Sequence, residues 1–194
     1  MQRPTWGARS RQLGSVRAVA ASTTVELVFV LGIDPGLSRC GYACLEPGAR
    51  RTVRAVAIGV LTTPAADPLP QRLAALRADL AALIAELHPD VVAVERVFFQ
   101  VNVRTAMSVG QASGLALAEA AAAGCEVVQY TPNEVKEAVT GWGAADKAQM
   151  QKMVQARLGL AEPPRPADAA DAAALALCYL AVAPFRARVA AAKR

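Results

Sequence analysis

The sequence predicts a mixed α/β domain, with a five-stranded sheet and helices on both of its faces. Early in the chain, short apolar segments end at turn residues, which is typical of strands joined in hairpins. Later apolar runs are separated by segments with apolar residues three or four positions apart, which is typical of helices that connect parallel strands. The 194 residues, 54% of them hydrophobic, are enough for one domain with a substantial core.

The first three predicted strands are joined by short turns. They cover residues 28–34, 41–46 and 52–62, and the dipeptides Pro35-Gly36 and Pro47-Gly48 mark turns after the first two. Short connections of this kind favour antiparallel pairing. We therefore expect an antiparallel half of the sheet at the start of the domain.

The second half of the sheet is predicted from alternating helices and strands. Leucines recur every three or four positions in residues 67–87, which predicts an amphipathic helix. Residues 91–95 are apolar up to a final acid, as expected of a central parallel strand. A helix over 103–123 and a strand over 126–130 follow.

Three further helices are predicted after the last strand. Thr131 and Pro132 are typical of an N-cap and a first helical turn, and Gly141-Trp142-Gly143 ends that helix. The next helix covers 145–158, and a proline-rich segment leads to the last helix, over 168–183.

Composition divides the chain into a domain and two flanking segments. Residues 1–27 are rich in arginine and serine and lack an apolar period, which indicates a disordered extension or a start codon assigned too far upstream. Residues 28–184 form the predicted folded domain, and residues 185–194 form a basic C-terminal tail. The formal net charge of +5 makes a polyanionic partner plausible.

Several classes of protein are disfavoured by the composition. No apolar run reaches the roughly 18–20 residues of a membrane helix. The single histidine, His88, and four cysteines without a CxxC pair disfavour zinc. Such cysteines are typical of reduced thiols in the cytoplasm. Because histidine and paired cysteine ligands are scarce, a metal site would have to use oxygen ligands, which favours magnesium or manganese.

Four acidic residues stand at positions that suggest such a site: Asp34, Glu95, Asp168 and Asp171. Asp34 and Glu95 end apolar strands, where burial of a carboxylate costs free energy unless a cation compensates it. Asp168 and Asp171 share one face at a helix N-terminus, which favours their charged forms. Together they predict two Mg²⁺ ions for displacement at phosphorus, with Asp34 as the bridging ligand.

Each acid also has a purely structural interpretation. Asp34 before Pro-Gly is typical of a turn, Glu95 can pair with Arg96, and Asp168 is a common N-cap residue. Asp171 can respond to the helix dipole. The order and contexts of all four favour the metal site.

Four motifs resemble those of the RuvC family of bacterial Holliday-junction resolvases, over residues 28–184. They are LGIDPGLSRCGY (31–42), VERVFFQVNVRTAMSVGQASG (94–114), TPNEVKEAVTGWGAADKAQM (131–150) and PADAADAAALAL (166–177). The resemblance implies an RNase H-like fold and a Mg²⁺-dependent crossover junction endodeoxyribonuclease of recombination and DNA repair, which nicks two opposing strands of a four-way junction symmetrically. It also implies a cytoplasmic homodimer, two Mg²⁺ per subunit (with Mn²⁺ able to substitute) and delivery of junctions by a RuvAB branch-migration complex.

The same resemblance assigns roles to individual residues. The four acids match the catalytic and metal-binding acids of the family, and Phe98 matches an aromatic residue that stacks on bases. Phe98 and Phe99 can instead pack on the core. Lys136 and Lys147 match lysines of the family near the DNA backbone, although each can also be an ordinary surface lysine. Arg96 can contact a phosphate or hold Glu95 in place, and Arg104 can also meet a phosphate.

Three other functions are weighed against junction cleavage. A related RNA-processing nuclease would have similar strands, but the chain length and the ADAAD helix disfavour it. An actin-like phosphotransferase would need further glycine-rich phosphate loops and a second large domain. A non-enzymatic junction-binding protein would not need four ordered acids.

Overall fold

A single five-stranded sheet positions the rest of the fold. The computed structural model describes residues 28–49, 52–96 and 103–192, and only the backbone of residues 103–105 and 184–192. The strands in this part of the chain are β1 (Val30–Asp34), β2 (Arg39–Pro47), β3 (Val53–Thr62), β4 (Val91–Glu95) and β5 (Glu126–Tyr130). The helices are α1 (Leu69–Leu87), α2 (Val103–Ala122), α3 (Pro132–Thr140), α4 (Lys147–Leu158) and α5 (Ala167–Ala192).

The sheet is mixed, with the strand order β3-β2-β1-β4-β5. Strands β1, β2 and β3 pair antiparallel, whereas β1, β4 and β5 pair parallel. The predicted antiparallel and parallel halves of the sheet are therefore confirmed. Because β1, β4 and β5 run in the same direction, their carboxyl ends lie at one edge of the sheet.

Alternation along the strands separates two apolar cores. In β1, Leu31 and Ile33 face α1 and α2, while Val30 lies on the opposite face among residues of α3, α4 and α5. In β4, Val92 and Val94 face the first pair of helices, and Val91 and Ala93 face the second group. Side chains alternate between the two faces of a strand, so Asp34 and Glu95 belong to the face that α5 covers.

Helix α5 lies unusually close to the sheet because the strands beneath it carry glycines. A Cβ atom on Gly32 would lie 2.0 Å from the carbonyl oxygen of Ala172, and one on Gly41 would lie 2.0 Å from that of Asp168. These distances are too short for any side chain. The glycines of β1 and β2 thus set the distance between the sheet and the start of α5.

Helices α3 and α4 each begin with a capping box. The Thr131 side chain accepts a hydrogen bond from the Glu134 backbone N–H, and Glu134 accepts one from the Thr131 N–H. Asp146 and Gln149 make the corresponding pair at the start of α4. Both pairs satisfy backbone donors that helix ends leave free, so they fix where these helices begin.

Most element boundaries agree with the sequence within two residues, and the largest difference is at the end of α5. The predicted end at Ala183 is wrong, because the helix continues through Pro184 to Ala192. The segment beyond is rich in alanine and arginine, which have high helix propensity. Among the described residues, no helix is both long and apolar enough to cross a membrane.

Candidate active site

The carboxyl ends of β1 and β4 bring two acids side by side. The parallel register pairs Ile33 with Val94, so Asp34 and Glu95 follow at adjacent positions at the same edge. Strand β5 extends this edge, because Glu95 pairs with Tyr130. The predicted convergence of the two strand-end acids is thus a consequence of the strand order.

The first turns of α5 bring the other two acids to the same edge. Asp168 and Asp171 stand three positions apart on α5, and the close approach over Gly41 holds the Asp168 backbone against β2. The segment before α5 contains a cis peptide bond between Arg165 and Pro166. The fold therefore brings all four predicted acids to one end of the sheet.

The electrostatics of Asp34 reflect this crowding. Burial and, to smaller extents in this order, the negative charges of Asp171, Glu95 and Asp168 together raise the pKa of its carboxyl from 3.8 to about 7. The Lys147 ammonium group opposes them. A half-buried carboxylate among three others is unfavourable unless a cation compensates it.

Lys147 supplies part of that compensation. Its Nζ atom donates a hydrogen bond to Asp171 Oδ2 at 3.1 Å, and this bond is the largest cause of the raised pKa of Lys147. Burial raises the pKa of Glu95 and the charge of Asp171 adds to the effect, while Lys147 lowers it. Lys147 was predicted from the sequence only as a DNA contact, but it also stands beside the acids.

Arg39 provides a second cation that the sequence analysis missed. Its Nε and Nη2 atoms lie 2.9 and 2.8 Å from Asp168 Oδ2, an ion pair across 129 positions of sequence. In the sequence, Arg39 is a single arginine in the segment SRCG, after Asp34 and before the apolar residues of the second predicted strand. That position alone does not reveal its partner, because the contact depends on how α5 packs.

The acids are close but do not form a closed cage. The described residues contain no group of three or more histidine, cysteine, aspartate or glutamate side chains placed to hold a metal ion. Instead, Asp168 faces Arg39 and Asp171 faces Lys147. The assignment of the four acids as metal ligands stays a prediction.

The other predicted site residues lie around this group or outside the described structure. Phe98 falls outside the described residues, and of Arg104 only the backbone is described. Lys136 is partly buried on α3. Arg96 is exposed directly after β4, and its charge contributes to the lowered pKa of Glu134, which results mainly from hydrogen bonds with Thr131.

A cavity of about 470 Å³ lies at the opposite edge of the sheet, away from the acids. It is lined by the ends of α1 and α2 and by residues that precede β4 and β5, among them His88, Pro89 and Cys125. None of the four acids lines it. The acids thus occupy a different, strand-end region of the molecule.

The raised pKa of Asp34 predicts a pH-dependent stability of the metal-free protein. In the folded protein Asp34 holds its proton up to a pH of about 7, whereas the unfolded chain releases it near 3.8. The stabilising contribution of protonated Asp34 is therefore fully present at a pH below the pKa of the unfolded state. It is lost as the pH rises through the pKa of the folded state. The loss should be on the order of 4 kcal/mol in the free energy of unfolding.

Urea unfolding in a chelating buffer, at about pH 5 and about pH 8, measures the part of this loss that falls between these two pH values, about 3 kcal/mol. Asp34→Asn should remove most of the pH dependence and be more stable than the wild type at the higher pH. Asp67→Asn, in an exposed turn before α1, is the matched control. Equal pH dependence in Asp34→Asn and the wild type would contradict the electrostatic description of the site.

Comparisons with known proteins agree with this architecture. The family model described as "Crossover junction endodeoxyribonuclease RuvC" matches residues 30–179. The crossover junction endodeoxyribonuclease RuvC of Salinispora arenicola is 56% identical over 163 residues, covering 84% of this chain and 93% of the relative.

Solved structures of Thermus thermophilus RuvC are also similar to this chain. One has a TM-score of 0.75 at 35% sequence identity, covering 81% of this chain and 96% of that one. A second, in complex with a Holliday junction substrate, has a TM-score of 0.74 at 32% identity with the same coverage. The shared fold is RNase H-like, as predicted. The chain therefore belongs to the RuvC family, whose curated members carry the name crossover junction endodeoxyribonuclease.

Proposed function

We propose that this chain resolves four-way DNA junctions in recombination and repair, by metal-dependent hydrolysis of phosphodiester bonds in two opposing strands. The observation that carries the proposal is the convergence of Asp34, Glu95, Asp168 and Asp171 at one strand-end edge. RuvC nucleases are metal-dependent enzymes. We assign the catalytic and metal-binding roles to these same four acids.

The donor chemistry of the four acids fits a divalent cation. All of the donors are carboxylate oxygens, which suit Mg²⁺ and Mn²⁺ better than softer metals. The raised pKa values of Asp34 and Glu95 mark a deficit of positive charge that such a cation would relieve. We infer two Mg²⁺ per subunit, with Mn²⁺ as a substitute and Asp34 as the ligand shared between them. Bound there, they would supply a nucleophilic water and stabilise the leaving 3′ oxygen.

The four acids differ in how the fold holds them and in whether a basic side chain pairs with them. Asp34 and Glu95 are fixed by rigid strands, whereas Asp168 pairs with Arg39 and Asp171 pairs with Lys147 through the Oδ2 oxygen alone, so the second oxygen of each is available to a metal ion. Both cationic side chains stand at the edge where the phosphate groups of the substrate would arrive. Both are more than half exposed, which makes them accessible to such phosphate groups.

A wider DNA surface is proposed from the residues around the acids. Lys136 on α3, Arg96 after β4 and Arg104 at the start of α2 are assigned to phosphate contacts, together with Lys147. Such contacts position the DNA and strengthen binding at low salt. Phe98, six residues before Arg104, is assigned to stacking on a base at the crossover.

Partners and location are proposed mainly from the family resemblance. A homodimer is supported by α2, where Met107 is 61% exposed and a Cβ on Gly110 or Gly114 would have no heavy atom within 4 Å. Gly110 and Gly114 on α2 therefore leave room for a second copy. Delivery by a RuvAB complex and a cytoplasmic location are likewise proposed, and the four free cysteines suit a reducing compartment.

Cleavage of a mobile four-way junction tests the proposed activity. In Mg²⁺ or Mn²⁺ the purified protein should nick two opposing strands at symmetric positions, and in a chelating buffer it should bind without nicking. A linear duplex and a structured RNA of equal length are the control substrates. Cleavage that persists in the chelator would contradict metal dependence, and preferential cleavage of the RNA would contradict the substrate class.

A further inference from the structure

An exposed tryptophan stands in the loop between α3 and α4. The Trp142 side chain is 58% exposed, which is among the highest values for large hydrophobic residues in the described part of the chain. Exposure of so large an apolar side chain is costly in water. Neither packing in the monomer nor the proposed metal site explains why an indole stands there.

The loop that carries Trp142 returns to the strand-end edge of the sheet. A Cβ on Gly143 would lie 4.0 Å from the carbonyl oxygen of Asn133, in the first turn of α3 directly after β5. Four residues further on, Lys147 donates its hydrogen bond to Asp171. Gly143 thus lies close to the start of α3, and Lys147, further along the chain, pairs with one of the four acids.

The backbone around Trp142 is held in place by Thr140. The Thr140 hydroxyl accepts a hydrogen bond from the Trp142 N–H at 3.1 Å and lies 2.8 Å from the carbonyl oxygen of Lys136. Gly141 adopts the left-handed conformation that ends α3, and Ala145 is buried in the core. An indole on a braced loop loses less conformational freedom on binding than one on a flexible tail.

We propose, on the basis of the proposed cleavage of four-way junctions, that Trp142 is a DNA-contacting residue whose indole stacks on a nucleobase of the junction beside the strand that is cut. A flat aromatic surface five residues before Lys147 in the chain can combine stacking with phosphate attraction, the two interactions by which proteins hold unpaired nucleotides. Paired bases within a duplex arm are already stacked on both faces. The contact should therefore form with a base near the branch point or with a single strand.

Tryptophan fluorescence tests the contact directly, because the chain has only two tryptophans. In Trp6→Phe, Trp142 is the only remaining indole. A four-way junction or a single strand, titrated into this variant in a chelating buffer, should quench its emission saturably, and a linear duplex should quench it much less. Emission that stays unchanged while the junction binds would overturn the proposal.

Affinity measurements provide a second test. Trp142→Ala should weaken junction binding by about 5- to 100-fold, and Trp142→Phe should recover part of the loss. The slope of log Kd against log salt should not change, because no phosphate contact is removed. Leu69→Ala, at an exposed apolar position that begins α1, is the matched control. Equal affinities of Trp142→Ala and Leu69→Ala would contradict stacking.

Discussion

Asp34→Asn and Glu95→Gln should each abolish cleavage of a four-way junction while binding of the junction survives. Each change removes a negative charge at the strand-end edge but keeps the size of the side chain. We expect a loss of at least about a thousandfold in the cleavage rate, equivalent to ~4 kcal/mol of transition-state stabilisation. Single-turnover cleavage of a labelled junction, with binding measured in parallel, separates the two effects.

The exposed-turn variant Asp67→Asn is the control for both substitutions. Unfolding is not an alternative explanation for inactive Asp34→Asn, because the loss of a raised-pKa carboxylate should stabilise the fold at neutral pH. If either variant nicks junctions at the wild-type rate, the assignment of that acid to catalysis is wrong.

Gly32→Ala is expected to be among the most destabilising additions of a single methyl group to the sheet. The new Cβ would lie 2.0 Å from the Ala172 carbonyl oxygen and 2.9 Å from the Ala176 nitrogen. Both are backbone atoms of α5, so the helix itself must move. Overpacking of this kind should cost on the order of 3 kcal/mol or more, which lowers Tm by roughly 6–12 °C in a domain of this size.

Thermal unfolding of Gly32→Ala and of Gly143→Ala measures this cost. Gly143 is the matched control because the nearest heavy atom to its added Cβ would be 4.0 Å away and its φ is not positive. The displaced α5 should also reduce cleavage, since it carries Asp168 and Asp171. A Tm of Gly32→Ala equal to that of Gly143→Ala would show that α5 does not depend on this close approach.

The strand-end acids were predictable because they depend on local patterns. Apolar runs that end in an acid define β1 and β4. Because side chains alternate between the two faces of a strand, the positions of Asp34 and Glu95 in these runs decide the face on which they lie. The start of α3 was predictable for a similar reason, since Thr131 and Pro132 form a recognisable helix start. Signals within a few residues therefore account for much of the fold.

Contacts between distant segments were not predictable in the same way. The ion pair of Arg39 with Asp168 and that of Lys147 with Asp171 depend on where α5 lies over the sheet. That position depends in turn on Gly32 and Gly41, and a glycine within a strand does not reveal which backbone approaches it. The sequence therefore predicts the four acids of the site but not the ion pairs that they make with Arg39 and Lys147.

Direct binding of manganese to the DNA-free protein is the sharpest test of the central claim, that four carboxylates at the strand-end edge form a metal site. Titration of Mn²⁺ into the wild type, followed by calorimetry and by electron paramagnetic resonance, should show saturable binding that Mg²⁺ competes away. Asp34→Asn should lose this binding, and Asp67→Asn should retain it. Equal Mn²⁺ binding by Asp34→Asn and the wild type, or none by the wild type even with a junction bound, would contradict the account.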